Sequence, residues 1–346
     1  MISSLITQIT YLVVLAFLLL VAMALLSPFE ALGWWAGWTK RELKQVAPPK
    51  QVVTSEEPAD IYIVYLTAIG GISADLSSRE RRFLARLKEA MPGKTVIIDD
   101  VFPFSVNNNP LNGERELSWL WQRLHNSRAG GKASAFAVLI FIRNMFQVAV
   151  SADPRYGPIY NFGVARELSE SLLEHGYPPG SGIPIVVMGW SGGGQIAAGV
   201  TPYLHEGLHA PVSVVSIGGV ISDDPGLDKV EHLYHLQSSK DKFPRISELL
   251  YPGRWPNMRH SHWYRAESAG RISVIDPGPM RHTGKGDYLD RHTLLPNGQS
   301  NLDRTVEVIA TILQGEPITA LNEDVIPAAS PEPEQSQASS SSEGSF

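Results

Sequence analysis

Residues Ile183 to Val200, IPIVVMGWSGGGQIAAGV, constrain this chain more than any other stretch. Ile183 to Met188 is an apolar, β-branched run behind a Pro/Gly cluster, which predicts a buried strand. Gly189-Trp190-Ser191-Gly192-Gly193 is a sharp Gly-rich turn, and Gln195 to about Glu206 turns to helix-permissive residues. Strand, G-x-S-x-G, helix is the context that gives this short pattern meaning. It pushes a serine out above the end of a sheet, and small residues flank it because strand and helix backbones approach closely there. Ser191 is therefore a candidate nucleophile. The rival reading is a Gly-rich βα turn carrying a solvated serine.

A chain of 346 residues can bury one large core or two modest ones. Its 43% hydrophobic and 18% charged residues suit a globular α/β protein with one very apolar segment added. The net charge of -6 gives no reason to expect nucleic-acid binding. From Gly315 onward there are six acidic residues and no Lys or Arg, so the tail carries the imbalance and the rest is near neutral. With no cysteine, disulfides and thiolate chemistry are excluded.

The apolar segment is Tyr11 to Leu26, YLVVLAFLLLVAMALL. Extended back over Leu5-Ile6 it reaches about 20 residues, enough for a helix to cross a hydrocarbon core. Trp34, Trp35 and Trp38 follow, with Lys40, Arg41 and Lys44 behind them, the expected exit from a bilayer. A cleaved signal peptide is the rival, with Ala22-Met23-Ala24 as a small-residue site, but no cation precedes the apolar run. The expectation is a retained single-span anchor in residues 1–45. Cations on its C-terminal side place the remainder in the cytoplasm. Residues 46–59, with Pro48, Pro49 and Pro58, read as a linker, 60–315 as the folded domain, and 316–346 as a disordered acidic tail.

Within the domain, strands are expected at Ile61–Leu66, Thr95–Val101, Ile183–Met188, Val212–Ile217, His232–Gln237 and Ile272–Ile275. Helices are expected at Ser78–Met91, Glu114–Ser127, Tyr160–His175, after the Ser191 turn, and at Leu302–Leu313. Phe102–Asn112 reads as a loop, and Phe243–His262, with Trp255 and Trp263 nearby, as a cap or long loop. Ala133–Ala152 is the second most apolar stretch, with Arg143-Asn144 in its middle. An unpaired cation is costly in lipid, so a helix buried against the sheet, or one dipping into a membrane surface, is expected there. Alternating strands and helices predict an α/β fold, a mostly parallel sheet with helices on both faces. Ligands then bind at the carboxyl ends of the strands.

A serine hydroxyl needs a base, a group that orients the base, and N–H donors for the oxyanion that develops. Here the chain resembles the α/β-hydrolase superfamily, on the elbow at Gly189–Gly193 and over roughly Ile61 to Leu313. The resemblance implies an acid after the second strand beyond the elbow and a histidine after the third. Those places hold Asp241, in QSSKDKF, and His282, in DPGPMRHTGKGD. It also implies an oxyanion hole from the N–H of Gly192 and of a residue after the first core strand. Many members carry His-Gly in that turn; this chain has Thr67-Ala68, leaving Ile69 as the donor.

Rivals stand beside each choice. Asp223 and Asp224 follow the preceding strand and are the alternative acids, and Asp241 could be a solvated turn residue. His260, His262 and His292 compete with His282, while Asp287 and Asp290 read as loop caps. Trp190 either lines an acyl pocket or packs beneath a helix. His232, His235, His260 and His262 have H-x-x-H and H-x-H spacings but no supporting carboxylate cluster, so no metal is expected. Neither G-x-G-x-x-G nor G-x-x-x-x-G-K-[ST] occurs, so no nucleotide cofactor is expected. The resemblance thus implies a serine hydrolase; the anchor, the tryptophans and the apolar Ala133–Ala152 add the expectation of a small hydrophobic ester, such as a lipid, as substrate and the bilayer as partner, with protein partners open. The alternatives are an acyltransferase using the same serine and an inactive, membrane-tethered interaction module.

Overall fold

A computed structural model describes residues 5–19, 22, 58–71, 76–105 and 135–316. The tryptophans and cations at 34–44, most of the linker, the helix expected at Glu114–Ser127 and the acidic tail beyond residue 316 lie outside the described residues. The apolar N-terminal run is helical over residues 5–19 (α1), with its side chains exposed. Among the described residues no helix is long and apolar enough to cross a membrane.

The domain is built on six strands: β1 (Ile61–Leu66), β2 (Thr95–Ile98), β3 (Ile185–Trp190), β4 (Val212–Ile217), β5 (Leu233–Leu236) and β6 (Ile272–Ile275). They lie in the order β2-β1-β3-β4-β5-β6, every pair parallel. The central strands are buried on both faces, as their unbroken apolar sequences demand. One face carries α3 (Ala135–Ala152), α4 (Gly157–Glu174), α5 (Gly192–Leu208) and α7 (His262–Ser268). The other carries α2 (Ser78–Ala90) and α8 (Asn301–Leu313), which pack on each other and on Ile63, Tyr65, Met188 and Trp190. Between α5 and α7 lies the short α6 (Ile246–Leu250). This parallel sheet with helices on both faces fits an α/β-hydrolase-like fold.

The chain leaves β1 for β2 on one side and returns to β3 on the other, so the order reverses between β1 and β3. That reversal opens a crevice at their carboxyl ends. The β1 end is tied down from α2. Ser77 and Glu80 form a capping box there, and the buried Glu80 carboxylate also accepts from the Tyr65 and Thr67 hydroxyls.

Three expectations need correction. The elbow helix starts at Gly192, not near Gln195. Three consecutive glycines argue against a helix on propensity, but packing requires them: a Cβ on Gly193 would stand 2.7 Å from Leu66 O, and one on Gly192 2.8 Å from Val148 Cγ2. Thr95–Val101 forms a strand only as far as Ile98, because β2 is an edge strand paired on one side. The region read as a cap contains α6 and leads into α7, whose Trp263 is buried in the core beside His235.

Candidate active site

Ser191 stands between β3 and α5 with φ 54° and ψ -119°, a backbone conformation that costs an L-residue about 1–3 kcal/mol. The turn is fixed on every side. Ser191 N–H donates to Ile217 O of β4, Gly194 N–H donates to Ser191 O, and a Cβ on Gly189 would run into the Gly193 backbone. The residue is 3% exposed, and its Oγ lies 2.9 Å from His282 Nε2.

His282 sits on the long connection between β6 and α8. Its Nδ1 lies 2.8 Å from Asp241 Oδ2, on the loop after β5. A carboxylate accepts, so Nδ1 carries the proton and Nε2 is left to accept from the serine hydroxyl. Phe243 stacks on the imidazole at 4.3 Å between ring centroids and, through its backbone N–H, donates to Asp241 Oδ1. Tyr288 donates its hydroxyl to Asp241 Oδ2. Gly218, after β4, leaves room for the pair. With φ +58° it lies where a Cβ would stand 2.9 Å from Asp241 Oδ2 and 3.4 Å from His282 Nδ1.

The rival acids are engaged elsewhere. Asp223 accepts from Trp263 N–H at the start of α7. Asp224 is buried and accepts from Gln195 Nε2 and Gly226 N–H; burial pushes its carboxyl up to about 6. Asp287 pairs with Arg79, and Asp290 accepts from Gly286, His292 and Thr293, as a loop cap does. Among the rival histidines, His262 pairs with Asp228, while His260 and His292 are exposed. Trp190 packs in the layer of α2 and α8, on the sheet face opposite the elbow helix. His235 is buried, donates to or accepts from Ser216 Oγ, and burial pushes its imidazole down to about 3. His232 meets Ser273 instead. Among the described residues no three His, Asp or Glu gather as a metal site.

Gly192 and Ile69 are neighbours: a Cβ on Gly192 would collide with Ile69 Cγ2. Gly192 opens α5, where backbone N–H groups have no intrahelical acceptor. Ile69 O is held by Asn144 Nδ2, which also donates to Gly71 O, both at 2.8 Å. Arg143 donates to Asn144 Oδ1 and to Phe104 O. The polar pair that interrupts the apolar α3 sequence therefore faces inward and grips the β1 turn. The outward face of α3 is apolar instead, with Val138, Phe141 and Met145 exposed. This inversion places hydrophobic surface on the helix whose Val148 touches Gly192.

No protein-family model and no curated protein matches the chain. A solved structure of the Wnt deacylase Notum from Drosophila does. It is 13% identical over 75% of this chain and 87% of that one, with a TM-score of 0.29. So distant a likeness carries no argument.

Asn144, Arg143, Gly218, Phe243 and Tyr288 were not legible as parts of this site. Arg143-Asn144 carried the only signal, as a polar interruption in an apolar run. Their acceptors, 39 to 75 residues away, were not readable.

Proposed function

We propose that the protein is a serine hydrolase that cleaves an ester or related acyl bond. The observation that carries this reading is the unbroken chain Ser191 Oγ, His282 Nε2, His282 Nδ1, Asp241 Oδ2 at 2.9 and 2.8 Å, behind a strained turn at the sheet's reversal point. In this reading Ser191 Oγ attacks the acyl carbon while its proton passes to His282 Nε2. The carbonyl oxygen becomes an oxyanion facing the N–H groups of Gly192 and Ile69. Collapse of the tetrahedral intermediate breaks the bond to the leaving alcohol, which takes the proton from Nε2. Water then repeats the sequence on the acyl-enzyme, with His282 again base and then acid. Asp241 holds the imidazole in the tautomer that leaves Nε2 free.

An inactive interaction module has less support, because its mark would be a serine and a histidine that do not meet. Acyl transfer to an alcohol or amine uses the same site, and product analysis with a competing acceptor separates it from hydrolysis. A hydrophobic substrate at a membrane is supported by the exposed apolar face of α3 next to Gly192 and by the exposed apolar α1. The tryptophans and cations at 34–44 support a single-span anchor with a cytoplasmic catalytic domain.

A fluorophosphonate probe tests the reading directly. Wild-type protein is expected to label, and Ser191→Ala and His282→Ala to lose the label. Well-folded wild type that fails to label would overturn the proposal.

Asn144→Ala tests the oxyanion hole. Without its two hydrogen bonds the turn at Ile69 loosens, and kcat is expected to fall about 100-fold, the scale of one lost oxyanion donor. A drop in thermal stability with kcat unchanged would remove Ile69 from the mechanism.

A further inference from the structure

The acid and the base sit on two different loops, and one side chain crosses between them. Tyr288 lies six positions after His282 but reaches back to the acid loop. It is fully buried, and its hydroxyl has two partners, both at 3.0 Å: Ser238 N and Asp241 Oδ2. A backbone N–H can only donate, so the hydroxyl accepts from Ser238 and its single proton goes to Asp241. The direction of this link is therefore fixed. Asp241 in turn receives three donors, Phe243 N–H on Oδ1 and both His282 Nδ1–H and Tyr288 O–H on Oδ2. Every partner supplies a proton, and together they hold both carboxylate oxygens in place.

The tyrosine is itself anchored. Thr305 of α8 donates to Tyr288 O, and Asn301 donates to the carbonyls of Gly286 and Asp287. Ser238 Oγ contacts Gly278 O and Met280 O and accepts from Met280 N–H, which joins the acid loop to the loop that carries His282.

We infer that Tyr288 is a positioning residue of the acid–base pair: its hydroxyl locks the Asp241 carboxylate in line with His282 and competes with the imidazole for the same oxygen. The inference rests on the serine-hydrolase reading for its effect on rate, but not for its effect on His282. Part of the carboxylate's acceptor strength goes to the phenol, so the imidazolium is held less tightly than by an undivided carboxylate. Burial pushes the phenol's own titration well up, so it stays a donor at any working pH. Around this cluster, Asp241 bears on the buried His235, Asp276 bears on Tyr288, and the Arg79–Asp287 pair lies beside the tyrosine.

Two variants with opposite expected signs test this. In Tyr288→Phe the competing donor is gone, so His282 holds its proton to higher pH. The acidic limb of kcat/KM is expected to move up by about half a pH unit, the scale of one hydrogen bond. KM should change little, because the phenol touches no substrate, while kcat falls. Replacing Tyr288 with 3-fluorotyrosine keeps the ring and makes the hydroxyl a stronger donor, so the limb should move down. This second variant also covers the case in which Tyr288→Phe does not fold. The same two shifts should appear in an NMR titration of the 15N-labelled His282 ring, which needs no turnover. If wild type has no activity but the ring titration shifts as stated, the hydrolase reading fails and the positioning role stands. If the ring titration is the same in wild type and both variants, Tyr288 is only a structural residue and the inference is overturned.

Discussion

Ser191→Ala is expected to abolish turnover, by about a million-fold, the scale seen when the serine of such a triad is removed. Only Oγ is lost. The hydrogen bonds that fold the turn run through the Ser191 and Gly194 backbone and survive the change. Melting temperature should therefore stay close to wild type. Ser191→Gly separates strain from chemistry. Glycine adopts the backbone at φ 54° without penalty, so this variant should be equally inactive but more stable, by about 1 kcal/mol or more. Activity retained in Ser191→Ala, measured as ester turnover on purified protein, would sink the assignment.

The second large effect separates the acids. Asp241→Asn is expected to cost about 10⁴-fold in kcat, the scale of an acid-to-amide change in a triad. An asparagine has one acceptor oxygen where Asp241 has two, and three donors converge on it. Its amide N–H₂ would also face a donor, and the imidazole would turn to the tautomer whose Nε2 cannot accept from serine. Asp224→Asn should leave kcat within a few-fold, because Asp224 touches neither His282 nor Ser191. Its effect should be on stability and depend on pH. Burial raises the Asp224 carboxyl from 3.8 to about 6, so its favourable contribution is full below about 4 and is lost as pH rises through 6. The advantage of wild type over Asp224→Asn in urea melts should therefore shrink from pH 4 to pH 7. A large kcat loss in Asp224→Asn with little in Asp241→Asn would reverse the two roles.

What the sequence discloses about this fold depends on how locally each feature is encoded. β1 (IYIVYL) and β4 (VSVVSI) are short runs dominated by β-branched and aromatic residues, and their limits can be read directly. Counting strand ends reaches Asp241 and His282 only because β3 to β6 pair in chain order, so each loop opens beside the previous one. The same counting says nothing of side chains that cross between loops. Tyr288 meets an acid 47 residues away, and Asn144 meets a carbonyl 75 residues away. The start of α5 was hidden because its glycines answer to packing rather than to helix propensity: Gly192 and Gly193 sit against the β1 turn, and Gly194 against Ser216 and Gly219. Trp263 was hidden because α7 is seven residues long, too short to show a helical stripe.

The spacing of the site along the chain also sets a timetable. Ser191 precedes His282 by 91 residues, and the histidine's loop follows the last strand of the sheet. At ordinary rates of synthesis, roughly 5–20 s pass between the making of the serine and of its base. During that time a ribosome-bound nascent chain carries the hydroxyl without anything to deprotonate it. Parallel pairing adds further delay, since β6 reaches the rest of the sheet only through β5. On the hydrolase reading, the protein is born unreactive and is switched on by the completion of its own sheet.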